Sequence, residues 1–456
     1  MKILIVGCGK VGYTLATQLC GEDHDVTILD KDADTLTDVT NGYDVMGIVG
    51  DGTSISVLQE ANVAEADLLC AVTDSDEKNL LCCLIARRIS KCKTIARVRN
   101  PIYSNEVQFF KADFDLAMVI NPEMAAASEI AHIFRFPSAI NINTFAKGRV
   151  DLLRFRLKEG SLLCGMMLSD IRTKLHCDVL VCVVKRGESI TIPSGDFTVQ
   201  AGDILSIVAS PKNAAEFFKK IGVMTNPVNA VLIVGGGKIT YYLAKLLHNS
   251  GINVKIIERN RDRCEELSDL LPSAEIIFGD GTDEELLKEE GIEEVAGFAA
   301  LTDIDEENIM LSLYAQSQSK VKAKNVTKIN RITFDQVIGD LNLDSVVNPK
   351  TITAEYILQF VRSMRTPSAG SSMENLYKLD ESGAEAMEFY LKKESAVTGK
   401  PLSQLNMREN ILICKIYRNG TLITPTGQTT LEAGDSVVLV ALTKDKLEDI
   451  DDILKN

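Results

Sequence analysis

The chain contains no tryptophan, and only 5% of its 456 residues are aromatic. It therefore lacks the aromatic platform on which proteins that bind single-stranded nucleic acids stack bases. Its formal net charge of −15 also argues against a nucleic-acid partner, because binding a phosphate backbone normally requires a basic surface. No run approaches the ~18 apolar residues of a membrane span, and the apolar start at Ile3 is too short for a signal peptide.

Motifs for metal binding and for nucleophilic catalysis are missing as well. The 11 cysteines are scattered through apolar segments and form no C-x-x-C pair, so neither a zinc knuckle nor a thioredoxin-like site is predicted. No Ser-His-Asp, Cys-His or metal-ligand spacing occurs, and the isolated His132 and His176 are expected to be structural. We therefore predict no catalytic residue, no metal site, and reduced cysteines in a cytoplasmic protein.

The N-terminal stretch carries the first positive signal. An apolar run at residues 3–6 leads directly into a G-x-G-x-x-G sequence. The first glycine permits a tight turn, the second lets a pyrophosphate approach the backbone, and the third lets the next helix lie close to the sheet. That helix, expected at about residues 11–19, points its free N–H groups at the phosphates. The candidate phosphate-binding residues are Gly7, Cys8, Gly9, Lys10, Val11 and Gly12, and we expect Cys8 to be exposed enough for chemical modification.

A second apolar run ends in Asp30, 18 residues after Gly12. An acid at this position can accept hydrogen bonds from both ribose hydroxyls and would repel a 2′-phosphate. The sequence therefore favours NAD(H), or an adenosine nucleotide such as ATP or ADP, over NADP(H), and Lys31 weakens that preference only slightly. The alternative, a glycine-rich turn that binds nothing, is disfavoured because strand, loop, helix and acid occur together.

The chain also contains a second copy of this stretch. Asp30 corresponds to Glu258, and four motifs recur in the same order at a nearly constant offset. Residues 3–16, 50–53, 68–83 and 121–122 correspond to residues 231–244, 279–282, 297–312 and 348–349. This repetition indicates a duplicated unit.

Further candidate binding residues follow other strands of each copy. Asp51 lies where the adenosine of a nucleotide would lie, Thr73 and Asp74 form a polar loop, and Arg97 could reach a phosphate. Ordinary turn, helix-cap and surface roles are the alternatives for these residues. Because the carboxyl ends of parallel strands meet at one edge, we expect the candidates to form one site. The second copy contributes Gly235, Gly237, Lys238, Glu258, Asp280, Thr302, Asp303 and Lys328.

The two sites are not expected to be equal. The second loop has Thr240 in place of the third glycine, which puts close helix–sheet packing in doubt. Arg259 adds a cation after Glu258. We therefore expect the first site to prefer a dinucleotide and the second to be looser and to take ATP or ADP.

Strands and helices alternate in the first part of each copy, which predicts parallel sheets with right-handed crossovers. The predicted fold class is α/β, with two Rossmann-like parallel-sheet domains, each followed by a small α+β domain of three or more strands. A helix beginning at Pro122 or Pro349 links the two parts, and its apolar face predicts packing against another subunit or the sister copy rather than its own domain. The predicted segments are 1–121, 122–142, 143–225, 229–348, 349–375 and 376–456, with a flexible linker at residues 365–372 and a joint at 226–227.

In combination these motifs resemble the family of tandem RCK-type (KTN) regulators of Trk potassium uptake. The resemblance rests on residues 3–12 with Asp30, on residues 50–53, 71–79 and 95–101, on the helix after residue 121, on their second set and on both small modules. It covers nearly the whole length.

The resemblance implies that the Rossmann-like domains bind NAD(H) or adenine nucleotides and that the small domains are regulatory. It implies a homo-oligomeric ring, expected to be tetrameric, peripheral to the inner face of the cell membrane beneath a separate potassium transporter subunit. Two nucleotides with different affinities for two domain arrangements would then shift the shape of the ring and gate transport.

Two alternatives remain open. The first is a soluble NAD-dependent oxidoreductase, which would need a proton donor or acceptor beside the nicotinamide. No such constellation follows either Rossmann-like part. The second is a nucleotide-sensing adaptor for a different transporter.

Overall fold

The structure is a computed structural model that describes the chain outside residues 23, 101–113, 138, 140, 147–148, 223–227, 331–340, 342, 365–370, 380–383, 443–446, 448 and 456. The predicted joint at residues 226–227 and most of the predicted linker at 365–372 lie outside the described residues. The chain divides into two compact units. The Rossmann unit comprises Met1–Phe134 (its first half) and Val228–Leu358 (its second half), and the small-sheet unit comprises Arg135–Pro227 and Gln359–Asn456.

The first parallel sheet forms as the alternating pattern predicts. Its elements are β1 (Lys2–Val6), α1 (Lys10–Cys20), β2 (Asp25–Asp30), α2 (Ala33–Gly42), β3 (Met46–Val49), α3 (Ile55–Glu60), β4 (Leu68–Ala71), α4 (Asp76–Ile89), β5 (Lys93–Arg97), β6 (Met118–Ile120) and the linking helix α5 (Pro122–Arg135). The strand order is β3-β2-β1-β4-β5-β6, and all neighbours are parallel. The order reverses between β1 and β4, where sheets of this type bind ligands.

The first small sheet is antiparallel. Its elements are β7 (Asn141–Phe145), β8 (Val150–Arg156), α6 (Leu168–Leu175), β9 (Leu180–Arg186), β10 (Ser189–Thr191), β11 (Ile204–Ala209) and α7 (Pro211–Lys220). The five strands run in the order β10-β9-β11-β8-β7. The strands β7 and β8 are additions to the sequence-based prediction.

The second half of the Rossmann unit repeats the first. It contains β12 (Ala230–Val234), α8 (Lys238–Asn249), β13 (Asn253–Glu258), α9 (Arg261–Leu270), β14 (Glu275–Phe278), α10 (Glu284–Glu289), β15 (Gly297–Ala300), α11 (Asp305–Gln318), β16 (Lys324–Lys328), β17 (Ser345–Val347) and the linking helix α12 (Pro349–Met364). Its strand order is β14-β13-β12-β15-β16-β17, again parallel throughout.

The second small sheet also has five antiparallel strands. They are β18 (Ser371–Lys378), β19 (Ala384–Leu391), β20 (Ile411–Arg418), β21 (Thr421–Ile423) and β22 (Ser436–Leu442), in the order β18-β19-β22-β20-β21. β18 begins inside the segment predicted as linker. One face of each small sheet contributes to a shared core that includes Phe145, Cys182, Cys414 and Val440. The predicted fold class, two parallel-sheet domains each followed by a small α+β domain, is therefore confirmed.

The linking helix α5 leaves the first parallel sheet and packs on the second half. Its buried Ile130 and Phe134 share one core with Val231 and Leu243. A Cβ at Gly297 would lie 3.0 Å from the Phe134 ring, so the ring sits directly on β15. The helix therefore packs against the sister copy, which is one of the two partners that its apolar face predicts.

This packing gives a first stability prediction. Phe134→Ala is expected to lower the free energy of unfolding by about 3–5 kcal/mol, because it empties a buried aromatic site between the halves. Met124→Ala on the same helix is the control, since Met124 is 39% exposed. Urea unfolding of both variants checks the prediction. Equal small losses in the two variants would contradict the role given to Phe134.

Candidate functional site

A cavity of about 550 Å³ lies at the carboxyl edge of the first parallel sheet, and is called the first cavity here. It is lined by residues that follow β1, β2, β3, β4 and β5. The structure thus brings together nine of the residues that the sequence predicts: Gly7, Gly9, Lys10, Val11, Asp30, Asp51, Thr73, Asp74 and Arg97. Cys8 and Gly12 lie in the same loop but do not line this cavity.

The glycine loop has the geometry that a phosphate-binding turn requires. Gly7 has a φ of +107°, a conformation that side chains disfavour, and a Cβ there would lie 2.9 Å from the backbone nitrogen of Thr73. A Cβ at Gly12 would lie 1.8 Å from the carbonyl oxygen of Gly7, so the close packing of α1 depends on that glycine. At Gly9, the residue before α1, nothing lies within 4 Å of the Cβ position, so a ligand has access to the backbone.

A variant of the third glycine tests this geometry. Gly12→Ala is expected to destabilise the Rossmann unit by about 1–3 kcal/mol and to weaken nucleotide binding, because the new methyl group displaces the loop from α1. Gly21→Ala is the matched control, since its Cβ would meet its nearest neighbour at an ordinary 3.5 Å. Urea unfolding and calorimetric titration measure the two effects. A Gly12→Ala chain as stable as Gly21→Ala would refute this account of the loop.

Asp30 ends β2 with both carboxylate oxygens fixed by backbone donors. The Cys8 N–H donates to Oδ2 at 2.5 Å and the Asp32 N–H to Oδ1 at 3.0 Å. Each oxygen keeps a second lone pair, so the fixed carboxylate can still accept ribose hydroxyls from the cavity.

The expectation that Cys8 is open to modification is wrong. Cys8 is only 2% exposed, and its thiol donates to the carbonyl of Thr35 at 3.4 Å. Burial, with the charge of Asp30 nearby, raises the pKa of the Cys8 thiol to about 11. A thiol that stays protonated at neutral pH is a poor nucleophile.

Asp51 stands at the outer rim of the cavity. Its carboxylate forms an ion pair of 2.7 Å with Lys31 and accepts hydrogen bonds from the N–H and hydroxyl of Thr53. The Lys31 ammonium, helped by Thr53, holds the pKa of Asp51 well below its usual range. Lys31 is thus engaged by Asp51, and its charge is partly neutralised at the place where a 2′-phosphate would need it.

A hydrogen-bond brace holds the polar loop after β4. The Asn79 side chain accepts from the N–H and hydroxyl of Thr73 and donates to the carbonyl oxygens of Thr73 and Arg97. Asn79 belongs to the polar loop that the sequence predicts but was not predicted as a site residue, although its recurrence as Asn308 in the second copy is a signal that could have identified it. The brace positions Thr73 and Arg97 on the same side of the cavity.

Arg97 lines the first cavity with a side chain that the protein holds in place. Its Nη1 donates to the carbonyl of Thr73 at 2.8 Å, whereas its buried Nε has no partner among the described residues. Burial, followed by the charge of Arg99, lowers the pKa of the Arg97 guanidinium. A guanidinium at this edge of the sheet can pair with an anionic ligand such as a phosphate.

Two further basic residues line the first cavity, and neither was predicted from the sequence. Lys78 comes from α4, and Lys350 comes from α12 in the other half of the Rossmann unit. Lys350 could not be identified from local motifs, because its position depends on how the two copies pack.

A cavity of about 420 Å³, called the second cavity here, occupies the equivalent edge of the second parallel sheet. Of the predicted residues it contains Gly235, Gly237, Glu258, Asp280, Thr302 and Asp303. The fixed acid and the brace recur: the Gly236 N–H donates to Glu258 at 2.6 Å, and Asn308 accepts from the Thr302 N–H at 2.8 Å.

Lys238 and Lys328, both predicted as binding residues, do not line the second cavity. Lys328 is 6% exposed, and its Nζ lies 3.3 Å from a carboxylate oxygen of Asp303. Lys328 therefore forms an ion pair within the protein, whereas Arg97 in the first half donates to a backbone carbonyl.

The substitution at the third glycine is accommodated rather than disruptive. The hydroxyl of the buried Thr240 donates to the carbonyl of Gly235 at 2.5 Å. Gly235 is the counterpart of Gly7, whose carbonyl oxygen would clash with a Cβ at Gly12 in the first loop. In addition, the Nε of Arg263 donates to the carbonyl of Gly236 at 2.7 Å. The second loop is therefore held together by its own side chains.

The charge of the two linings differs in sign. The first cavity is lined by five basic and four acidic side chains, whereas the second is lined by two basic and four acidic ones. Phosphate groups are therefore favoured more strongly in the first cavity than in the second. Within the described residues there is no group of three or more His, Cys, Asp or Glu side chains that could hold a metal ion. No helix in that part of the chain is both long and apolar enough to cross a membrane.

The fold and the cavities define the class of protein: a duplicated Rossmann-type chain in which each parallel sheet, with its glycine loop and fixed acid, is followed by a small antiparallel sheet. The TrkA-N domain model matches residues 3–122 and 231–349, and the TrkA-C domain model matches residues 152–222 and 386–455. The chain belongs to the TrkA family of Trk system potassium uptake proteins.

Similar proteins span the whole chain. The Trk system potassium uptake protein TrkA homolog of Archaeoglobus fulgidus is 32% identical over 456 residues, with 100% of both chains covered. The Trk system potassium uptake protein TrkA of Haemophilus influenzae is 31% identical over 462 residues, which cover 100% of this chain and 99% of the relative.

Among solved structures, the GsuK channel superposes with a TM-score of 0.62 at 19% identity, covering 97% of this chain and 77% of that one. A structure of the GsuK channel bound to NAD gives a TM-score of 0.62 at 18% identity, with the same coverage. At this level of identity the likeness concerns the fold alone.

Proposed function

We propose that the chain is the nucleotide-binding regulatory subunit of a Trk-type potassium uptake system. In this proposal it binds NAD(H) in the first cavity and, more weakly, ATP or ADP in the second. It associates peripherally, on the cytoplasmic side, with a separate membrane subunit that carries potassium, and it acts as a homo-oligomer, expected to be a tetrameric ring.

The observation that carries the proposal is the construction of the first cavity. An open glycine before α1, a fixed acid at the end of β2 and an arginine at the end of β5 line one cavity. These groups match the pyrophosphate and ribose of a dinucleotide. The relatives are named as potassium uptake proteins, and we therefore assign potassium as the transported ion.

Nucleotide binding would regulate transport by a shift between conformations. A ligand changes the equilibrium only by its difference in affinity for the two arrangements, so two nucleotides in the two cavities can have opposite effects. No bond in the nucleotide is made or broken in this mechanism.

Calorimetric titration of the full-length chain with NADH, ATP and ADP tests the binding step. Potassium flux into vesicles that contain the membrane subunit, with and without the chain and NADH, tests regulation. We expect NADH to bind and to change the flux while its absorbance at the nicotinamide band stays constant. Absence of binding would refute the proposal, and oxidation of NADH with a small substrate would favour the oxidoreductase alternative.

A further inference from the structure

Lys350 enters the first cavity from outside the sheet that forms it. It is the second residue of α12, in the second half of the Rossmann unit, yet it lines the cavity beside the glycine loop of the first half. Its Nζ lies 3.4 Å from the carbonyl oxygen of Asn330, and the Nζ of Lys10 lies 3.3 Å from the same oxygen. Two ammonium groups, one from each half, therefore share a single neutral acceptor.

The internal repeat shows that this arrangement exists on one side only. Position 350 corresponds to Glu123, and position 330 corresponds to Arg99. In the first half Glu123 and Arg99 form an ion pair of 2.7 Å with each other. In the second half the same positions hold a lysine and a neutral asparagine, and within the described part of the chain Lys350 forms no ion pair with a carboxylate. The second cavity, by contrast, has no lining residue from the first half among those described.

The Lys10 and Lys350 ammonium groups lie close together, and neither forms an ion pair with a carboxylate in the described part of the chain. The partly buried Lys350 ammonium is next to Lys10, and these two causes lower the pKa of Lys350 to about 8. Arg97 and the open backbone of Gly9 line the same cavity. An anion bound among these cations relieves their mutual repulsion.

We propose that Lys350 is a phosphate-binding residue of the first site, so that the second half of the chain completes the nucleotide site of the first half. This inference rests on the proposed function and adds the residue that selects a nucleotide with a pyrophosphate over adenosine alone. Because Lys350 lies on α12, nucleotide binding in the first cavity is coupled to the contact between the two halves of the Rossmann unit. A phosphate that bridges Lys10 and Lys350 relieves their mutual repulsion and draws the halves together.

The test compares full-length wild type with Lys350→Ala by calorimetric titration with NADH, adenosine and ADP. We expect Lys350→Ala to weaken NADH binding by about ten-fold or more and to leave adenosine unchanged. ADP binding is also expected to be unchanged, because ADP is assigned to the second cavity, which Lys350 does not line. Lys350→Arg is expected to restore most of the affinity. Lys91→Ala, which removes one positive charge outside the cavities, is the matched control.

Proton uptake on ligand binding is a second measurement. It would be the same in wild type and Lys350→Ala if Lys350 had only a structural role. Lys350 is influenced by Lys10, Asp305 and Arg97, and an anion placed among these groups favours its charged form. At pH 8, titration of NADH in buffers of different ionisation enthalpy is therefore expected to show partial proton uptake in the wild type and none in Lys350→Ala.

The outcomes separate this inference from the proposed function. If wild type binds no phosphate-bearing nucleotide, the proposed function itself fails. If wild type binds NADH and Lys350→Ala binds it equally well with the same proton uptake, only the role of Lys350 is overturned. An equal loss of adenosine and NADH affinity in Lys350→Ala would show a general distortion of the cavity and would also overturn it.

Discussion

Asp30→Ala is expected to weaken NADH binding by about 100-fold or more. In the proposed complex the fixed carboxylate accepts both ribose hydroxyls, and a hydrogen bond to a charged acceptor contributes about 1.5–3 kcal/mol. Two such bonds correspond to at least a 100-fold change in the dissociation constant. The substitution also frees the loop, because the carboxylate holds the N–H groups of Cys8 and Asp32.

Asp30→Asn separates these two contributions. The amide keeps one oxygen acceptor and the shape of the side chain but places a donor against one of the two backbone N–H groups. We therefore expect an affinity between those of wild type and Asp30→Ala.

Glu258→Ala provides the matched control for the first prediction. Glu258 holds the second glycine loop as Asp30 holds the first, with a 2.6 Å bond from the Gly236 N–H. If NADH binds mainly in the first cavity, Glu258→Ala leaves the tight NADH site intact. Equal losses of NADH affinity in the two alanine variants would show that the cavities do not differ as their charges indicate. Potassium flux with the membrane subunit extends the comparison, since Asp30→Ala is then expected to lose the response to NADH.

The local parts of the fold and the site could be predicted because their causes lie close together in sequence. Gly7 and Gly12 are five residues apart, and the clash that excludes a side chain at Gly12 involves Gly7 itself. The alternation of apolar strands and helices determines the parallel sheets, and the carboxyl ends of parallel strands bring Asp30, Asp51 and Arg97 to one cavity.

The features that escaped prediction depend on contacts between distant segments. Lys350 reaches the first cavity only because the second half packs on the first. Lys328 is buried and does not line the second cavity, although its ion-pair partner Asp303 does. Strands β7 and β18 contain polar residues such as Asn143 and Glu374, so they lack a clear apolar alternation. They are strands because β8 and β19 pair with them, which is a tertiary effect that overrides local preference.

A buried acid in the small-sheet unit gives the second large effect. Asp151 on β8 is 1% exposed, its Oδ2 has no hydrogen-bond partner in the described part of the chain, and the guanidinium of Arg135 is 4.0 Å away. Among the described residues, its Oδ1 receives only a long hydrogen bond of 3.4 Å from the hydroxyl of Thr144. Burial disfavours the charged form and raises the pKa of Asp151 from 3.8 to about 6.

A folded-state pKa above the unfolded value means that the folded chain binds the proton more tightly. The contribution of Asp151 to stability is therefore fully present below pH 4 and is lost as the pH rises through 6. A difference of about two pKa units corresponds to about 3 kcal/mol. Asp151→Asn, which cannot ionise, is accordingly expected to be more stable than wild type by about 2–3 kcal/mol at pH 8 and to match it near pH 4.

Urea unfolding of wild type and Asp151→Asn between pH 4 and pH 8 measures this difference directly. Glu385→Gln is the matched control, because Glu385 holds the corresponding position on β19 but is partly exposed. Other carboxylates titrate in both chains and cancel in the comparison. A stability difference that stays constant across this pH range would mean that Asp151 does not titrate there, and that its burial is balanced by Arg135 at every pH.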